Sequence, residues 1–392
     1  MSQPHQTPYW RLSGFYFFYF ASLGAIVPFW NLYLKELSYT ATQTGVFVAI
    51  LMVTKVIAPN IWGWIADHTG RRMAIVRTGC LLAAVIYAGI LLDQSYWWLV
   101  VIMLLFSFFW NAALPQFEAT TFSHLGDASH RYSSVRLWGS IGFVIAVVGL
   151  GYTFETISIL RLPVFVLILL IGIWLVSLSV PEEAASNLHI EHEPISKLLR
   201  KPHIVGLLAA CFCMQVSHGP YYAIYSRYME SYGYSVSAIG WLWGLGVIAE
   251  IGVFMIMHRL FKLYSLRGLM LFSLAIAALR WLLIALVPMN LPIMLAAQVM
   301  HAVTFGVYHA TAIRLIHQLF RGRHQGKGQA LYSSLSFGAG GALGSLYSGV
   351  AWDHIGRPAV FAISVVFSVL GFLLTYRYVR FDTKDGDSRA SR

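Results

Sequence analysis

Residues 63–72 read Gly63-Trp64-Ile65-Ala66-Asp67-His68-Thr69-Gly70-Arg71-Arg72, set between apolar runs at 41–66 and 73–92. Each run holds enough apolar residues to cross a bilayer as a helix, for which roughly 20 suffice. Membrane barrel strands alternate polar and apolar residues over about 10 positions, and these runs do not alternate. The segment therefore reads as two membrane helices joined by a tight connection. Gly63 and Gly70 permit a close turn, Asp67 offers an acceptor suited to a helix N-terminus, and Arg71 and Arg72 sit at headgroup level.

Ten more apolar runs continue the rhythm, at 10–34, 97–122, 132–154, 164–180, 203–229, 238–261, 268–288, 292–319, 328–352 and 358–379. The fold class this implies is an all-α membrane protein of twelve transmembrane helices. Composition agrees: 58% of the 392 residues are hydrophobic, 11% are charged, and mean hydropathy is +0.66. A soluble domain carries roughly 25% charged residues. An ordinary soluble enzyme is excluded, and so is disorder, which needs low hydrophobicity. The first run is too long for a cleavable signal peptide and lacks a small-x-small cleavage site. Cys80, Cys211 and Cys213 form no C-x-x-C pattern, so neither a disulfide nor a metal site is expected.

Basic residues set the orientation. With the N-terminus inside, the inner connections gather Arg71, Arg72, Arg77, Lys197, Arg200, Lys201, Arg259, Lys262, Arg267, Arg321, Arg323 and Lys327. The outer side holds only Lys35, Arg161, Arg227 and Arg357. Both termini are expected in the cytoplasm, with the chain multi-pass in the inner cell membrane. The net charge of +11 is then topological, and nucleic acid is not an expected partner. The longest hydrophilic connection, Pro181 to Pro202, divides the chain into a six-helix bundle at 1–180, a cytoplasmic linker at 181–202, a second bundle at 203–381 and a tail at 382–392. Two six-helix halves are the architecture of many transporters that bind substrate at the repeat interface. A monomer is expected.

Ionisable groups inside apolar runs cost several kcal/mol and usually line a cavity or a pathway. Here they are Lys55, Glu118, Arg136, Glu250, Arg280 and Arg314, with His218, His301 and His309. At about 1.5 Å of rise per residue, Glu118 and Arg136 fall at one depth. They pair as a binding site or as an ion pair that only orients two helices. Glu250, Arg280 and His301 converge near the midplane of the second half. Asn111 lies seven residues before Glu118 and hence on its face, with Pro115 between them loosening the helix. His218-Gly219-Pro220 is expected to interrupt the seventh span just before Tyr221 and Tyr222. Small residues from Gly338 to Gly349 suit close helix packing in the eleventh span.

The loop 63–72 resembles the signature loop of the major facilitator superfamily, G-x-x-x-D-x-x-G-R-R, in its expected place between helices 2 and 3. Its counterpart at 258–267 keeps the basic residues and loses the Gly and Asp frame. Ser134 to Ser140, with Glu118 upstream, is similar to the lactose permease pattern, whose glutamate and arginine bind substrate. Glu250, Arg280 and His301 fall where that permease keeps its proton-coupling groups, but Thr304 stands where it has a second carboxylate. The stretches 14–35, 237–250 and 298–314 resemble the phenylpropionate permease branch of the superfamily.

That resemblance implies the major facilitator fold and a proton-coupled symporter importing a small organic anion, an aromatic carboxylate such as 3-phenylpropionate. Protons and a small molecule are then the partners within the lipid bilayer, and no cofactor is implied. Substrate binding falls to Glu118, Arg136, Asn111, Lys55, Tyr221, Tyr222 and His218. Proton coupling falls to Glu250, Arg280 and His301, and the conformational switch to Gly63, Asp67, Gly70, Arg71 and Arg72. Cations outnumber carboxylates in the membrane by four (Lys55, Arg136, Arg280, Arg314) to two (Glu118, Glu250), which favours an anion. The alternatives are a sugar or nucleoside symporter and a sensor that binds ligand without moving it. No P-loop, nucleotide fingerprint, G-x-S-x-G or H-E-x-x-H occurs, so an enzyme is not expected.

Overall fold

The protein is described here by a computed structural model covering residues 7–182, 201–320 and 325–379. The expected linker core at 183–200 and the tail at 382–392 lie outside the described residues. The helices are α1 (Tyr9–Glu36), α2 (Ala41–Thr69), α3 (Arg72–Ala88), α4 (Tyr96–Leu125), α5 (Tyr132–Thr156) and α6 (Leu162–Ser179). They continue as α7 (Pro202–Glu230), α8 (Val236–Leu263), α9 (Leu266–Leu286), α10 (Leu291–Leu319), α11 (325–354) and α12 (Arg357–Tyr378). All but α11 are long and apolar enough to cross a membrane. Two helices change pitch: α10 holds a π turn at Ala302–Val307 and α11 one at Ser334–Gly340. Such turns insert an extra residue and often mark functional positions.

The connection between α2 and α3 is shorter than the sequence suggests. Helix α2 runs through Thr69, so only Gly70 and Arg71 turn. Gly70 takes φ +67° and its N–H donates to Ala66 O at 2.8 Å, a left-handed helix stop that glycine adopts without strain. Glu182, at the start of the linker, accepts from Met73 N at 2.9 Å and caps α3. The expected break at His218-Gly219-Pro220 is also corrected. Helix α7 is continuous through Pro220. Gly219 serves packing instead, since a Cβ there would overlap the backbone of Gly344 in α11. Pro115 likewise sits inside an uninterrupted α4.

Two compact units emerge. Unit 1 comprises Met1–Tyr39, Val53–Leu188 and Ser235–Gly244; unit 2 comprises Thr40–Met52, His189–Tyr234 and Leu245–Arg392. In unit 1, α1 packs against α5 and α6, and α3 against α4 and α6. In unit 2, α12 packs against α7 and α9, and α11 against α7. Each unit contains one acidic cap of the same design. Glu155 near the end of α5 accepts from Ser237 N at 2.8 Å, at the start of α8. Asp353 near the end of α11 accepts from Thr42 N at 2.8 Å and Thr42 Oγ1 at 2.7 Å, at the start of α2.

Candidate functional site

The structure brings Glu118 and Arg136 into one cluster in unit 1, and Glu250, Arg280, His301 and His218 into another in unit 2. In unit 1, α4 carries Glu118 and α5 carries Tyr132 and Arg136, four residues apart and so on one face. The Tyr132 hydroxyl donates to Glu118 Oε1 at 3.1 Å. The Arg136 guanidinium lies over the Phe20 ring at 3.6 Å and near Tyr16 at 5.7 Å. Gly139 makes room for this stack, since a Cβ there would stand 2.7 Å from Arg136 Nη1. Among the described residues no carboxylate lies within 4.0 Å of Arg136. Equal depth brings Glu118 and Arg136 into one cluster without a direct ion pair: Glu118 accepts from Tyr132, and Arg136 rests on Phe20.

Aromatic rings wall this cluster. Phe15 stacks on Phe117 at 3.6 Å, and Tyr19 on Trp110 at 5.1 Å. Asn111 is buried and donates to Thr54 Oγ1 at 3.1 Å, while Thr54 donates to Ser107 at 2.8 Å. That bridge ties α2 to α4. The next residue on α2, Lys55, is exposed, and no described residue forms a hydrogen bond or ion pair with it.

The unit 2 cluster is built differently. Arg280 of α9 is fully buried between Tyr221 and Trp281, with ring centroids at 4.5 and 4.4 Å. Its guanidinium donates to Ala297 O at 2.8 Å, His301 Nδ1 at 3.1 Å, Thr304 Oγ1 at 3.2 Å and Gln298 Oε1 at 3.4 Å. His301 Nε2 faces Glu250 Oε2 at 3.9 Å. Gly246 and Gly306 let these groups approach: a Cβ on Gly246 would reach His301 at 3.4 Å, and one on Gly306 would reach Glu250 at 3.3 Å. His218 is buried, bonded at Nδ1 to Met214 O at 2.9 Å and at Nε2 to Thr304 Oγ1 at 3.4 Å. Tyr221 donates to Gln298 Oε1 at 2.9 Å, while Tyr222 is half-buried on the same helix. His218 and Tyr221, expected among substrate-binding groups, thus sit inside the Arg280 network.

Sequence reasoning missed Tyr132, Phe20, Gln298 and Tyr225, the last bonded to Gln298 Nε2. A glutamine one turn before His301 was the available signal for Gln298, but a search for ionisable groups passes over neutral amides. Arg314 stands apart, over Phe261 at 4.7 Å, and His309 bonds Tyr332 at 3.1 Å. In the 63–72 segment, Arg72 reaches Asp67 at 3.6 Å on an exposed rim. Gly63 lies within the helix, 3.6 Å from Gln116 measured from an added Cβ. Among the described residues no group of His, Cys, Asp and Glu has the arrangement to hold a metal.

Comparisons with known proteins add the family context. The MFS_1 like family matches residues 9–363. A probable 3-phenylpropionic acid transporter of Escherichia coli (strain K12) is 27% identical over 368 residues, spanning 92% of this chain and 95% of that protein. Maltose permease of Geobacillus stearothermophilus is 24% identical over 380 residues, 96% and 95% of the two chains. The crystal structure of nucleoside transporter NupG is similar in fold, with a TM-score of 0.81 at 16% identity, over 95% of this chain and 99% of that one.

Proposed function

The chain belongs to the MFS_1 like family, so it is a multi-pass membrane transporter and not an enzyme, and we propose that it is a proton-coupled symporter importing a small organic anion. An aromatic carboxylate of the 3-phenylpropionate kind is the proposed substrate. One observation carries this reading. Arg136 rests on a phenyl ring with no carboxylate within 4.0 Å among the described residues, beside stacked aromatic rings. A guanidinium so placed keeps its paired donors for a planar carboxylate, and the rings suit an apolar body. Exposed Lys55 in the same unit adds a second positive charge. The relative named for 3-phenylpropionic acid fits this reading. Glu250 is proposed as the proton carrier, and Asp67 with Arg71 as a rim contact that biases conformational balance. The excess of Lys and Arg on one set of connections supports an inner-membrane location with both termini in the cytoplasm.

A second reading, a sugar or nucleoside symporter, is favoured by Glu118 and Tyr132, whose carboxylate and hydroxyl suit a polyol. The likeness to maltose permease fits it as well. Counterflow in proteoliposomes with labelled 3-phenylpropionate, benzoate, maltose and uridine separates the two. Exchange of the aromatic acids alone is expected. Exchange of maltose or uridine, with none of either acid, overturns the anion reading.

A further inference from the structure

From Ile251 to Trp352 the sequence holds no Asp or Glu, yet it carries Arg259, Lys262, Arg267, Arg280, Arg314 and Lys327. Two of these cations are committed within the protein. Arg280 is bonded inside its cluster, and Arg267 donates to Tyr376 O at 2.8 Å and lies over the Tyr376 ring at 5.3 Å. At the corresponding ends of unit 1, Arg11 donates to Ser179 O at 3.0 Å and Arg77 to Val180 O at 2.7 Å. Arg314 differs. Its guanidinium lies over Phe261 at 4.7 Å, and among the described residues its side chain forms no hydrogen bond or ion pair. The exposed side chains of Arg259 and Lys262 form none either.

Packing fixes where these cations stand. Phe261 lies in the last turn of α8, which ends at Leu263, and Arg314 in the last two turns of α10, which ends at Leu319. Phe261 and Ala310 pack on a core of Met257, Leu269 and Val307, which joins α8, α9 and α10 beneath the ring. A phenyl ring under a guanidinium offers no acceptor to its N–H fork, so the fork stays available for an anion. On α8, Met255, Arg259 and Lys262 follow at helical spacing and so share one face, and all three are exposed. Cations at the helix end thus continue into an apolar stripe deeper along the same face. We propose that Arg314, with Arg259 and Lys262, binds the phosphodiester of an acidic phospholipid where α8 and α10 end, with an acyl chain lying along Met255. An excess of basic residues draws a helix end toward anionic headgroups but fixes no partner. The ring-backed fork adds that selection, since a guanidinium pairs with two phosphate oxygens at once. The proposed substrate meets a different arginine, Arg136 in unit 1, so the lipid site stands apart from the transport reading. The leaflet follows from the proposed orientation, whereas binding of the phosphodiester holds in either one.

Calorimetric titration of the purified protein in a neutral detergent tests this, with dioctanoyl phosphatidylglycerol as the probe and dioctanoyl phosphatidylcholine as the zwitterionic control. Wild type is expected to bind the acidic lipid about tenfold more tightly or better, the scale of one hydrogen bond to a charged group. Arg314→Gln combined with Lys262→Gln should remove that preference and leave the weak binding of phosphatidylcholine unchanged. Phe261→Leu keeps an apolar side chain on the core but takes away the ring beneath Arg314, and should weaken binding about two- to fivefold. Arg161→Gln removes a cation from the opposite helix ends and should change nothing. Glycerol phosphate and 3-phenylpropionate serve as competitors, and neither is expected to displace the lipid at equal concentration. Displacement by glycerol phosphate makes this a site for soluble phosphates, and displacement by the acid makes it a station for substrate; either result overturns the lipid assignment. A double variant that keeps the tenfold preference overturns the choice of residues. Equal affinity of wild type for the two lipids overturns the site with no variant needed, so a substitution that fails to fold cannot shield it.

Discussion

Arg280 and Arg136 are held in opposite ways. Arg280 has its donors committed to a carbonyl, an amide, a hydroxyl and an imidazole, and it is sealed between two rings. Arg136 is half-buried and rests on one ring, with its nearest carboxylate engaged by Tyr132. A charge whose donors are satisfied organises its neighbours and is costly to disturb, whereas one with donors to spare gains most from an arriving anion. On the proposed function, recognition belongs to unit 1 and proton handling to unit 2. It fails if substitutions in the two clusters change the same measured quantity.

The largest expected effect is at Glu250. Glu250→Gln keeps an acceptor and a similar volume but holds no exchangeable charge. Uphill accumulation of substrate under a pH gradient should disappear, while counterflow without a gradient continues. Intact accumulation would remove Glu250 from the coupling role. Next comes Arg136. Arg136→Lys replaces a planar fork by a point charge and should weaken binding of an aromatic acid by about ten- to hundredfold. Replacing the substrate carboxylate by an amide should cost about the same, and both changes together little more than either, since they delete one interaction. Additive losses in calorimetry would show that the carboxylate binds elsewhere.

Much of the fold was legible because apolar runs of membrane length have few alternative readings, and the 63–72 segment fixed where two of them meet. The departures have local causes. Thr69 still belongs to α2 because Gly70 supplies the positive φ that stops the helix. Pro220 does not break α7, and Gly219 beside it packs against the backbone of Gly344. Ionisable groups in the site stood out because charge in an apolar run is costly and rare. Their partners did not, since Tyr132, Phe20 and Gln298 belong to residue types that apolar helices carry for many reasons. Depth along a helix follows from counting residues, but azimuth does not, so the count places Glu118 and Arg136 level while the structure gives each a different partner, Tyr132 and Phe20.

A smaller effect is expected at Lys55. It makes no bond to a described residue, so its contribution to anion binding is that of a lone point charge. Lys55→Gln should weaken acid binding by about fivefold or less, the range of exposed ion pairs, and the difference should shrink as salt is raised. A salt-independent loss of the size expected at Arg136 would make Lys55 the principal anchor and reverse their ranking.

The smallest effect is expected at Glu118, and it is the one that separates acid from sugar. In the anion reading its carboxylate accepts from Tyr132 and balances Arg136 through space, without touching the substrate. Glu118→Gln retains an acceptor for the Tyr132 hydroxyl, so affinity for an aromatic acid should change by about threefold or less, the scale of one neutral hydrogen bond. Removing a nearby negative charge should shift that small change toward tighter binding of an anion. In the sugar reading the same carboxylate accepts directly from substrate hydroxyls, and the glutamine variant loses most binding of a neutral ligand. Quenching of the 13 tryptophans on titration with each ligand measures both cases in one preparation. Unchanged or tightened binding of 3-phenylpropionate, with no response to maltose, keeps recognition at Arg136. Loss of all measurable binding in Glu118→Gln moves it to the carboxylate and dissolves the contrast between the two clusters.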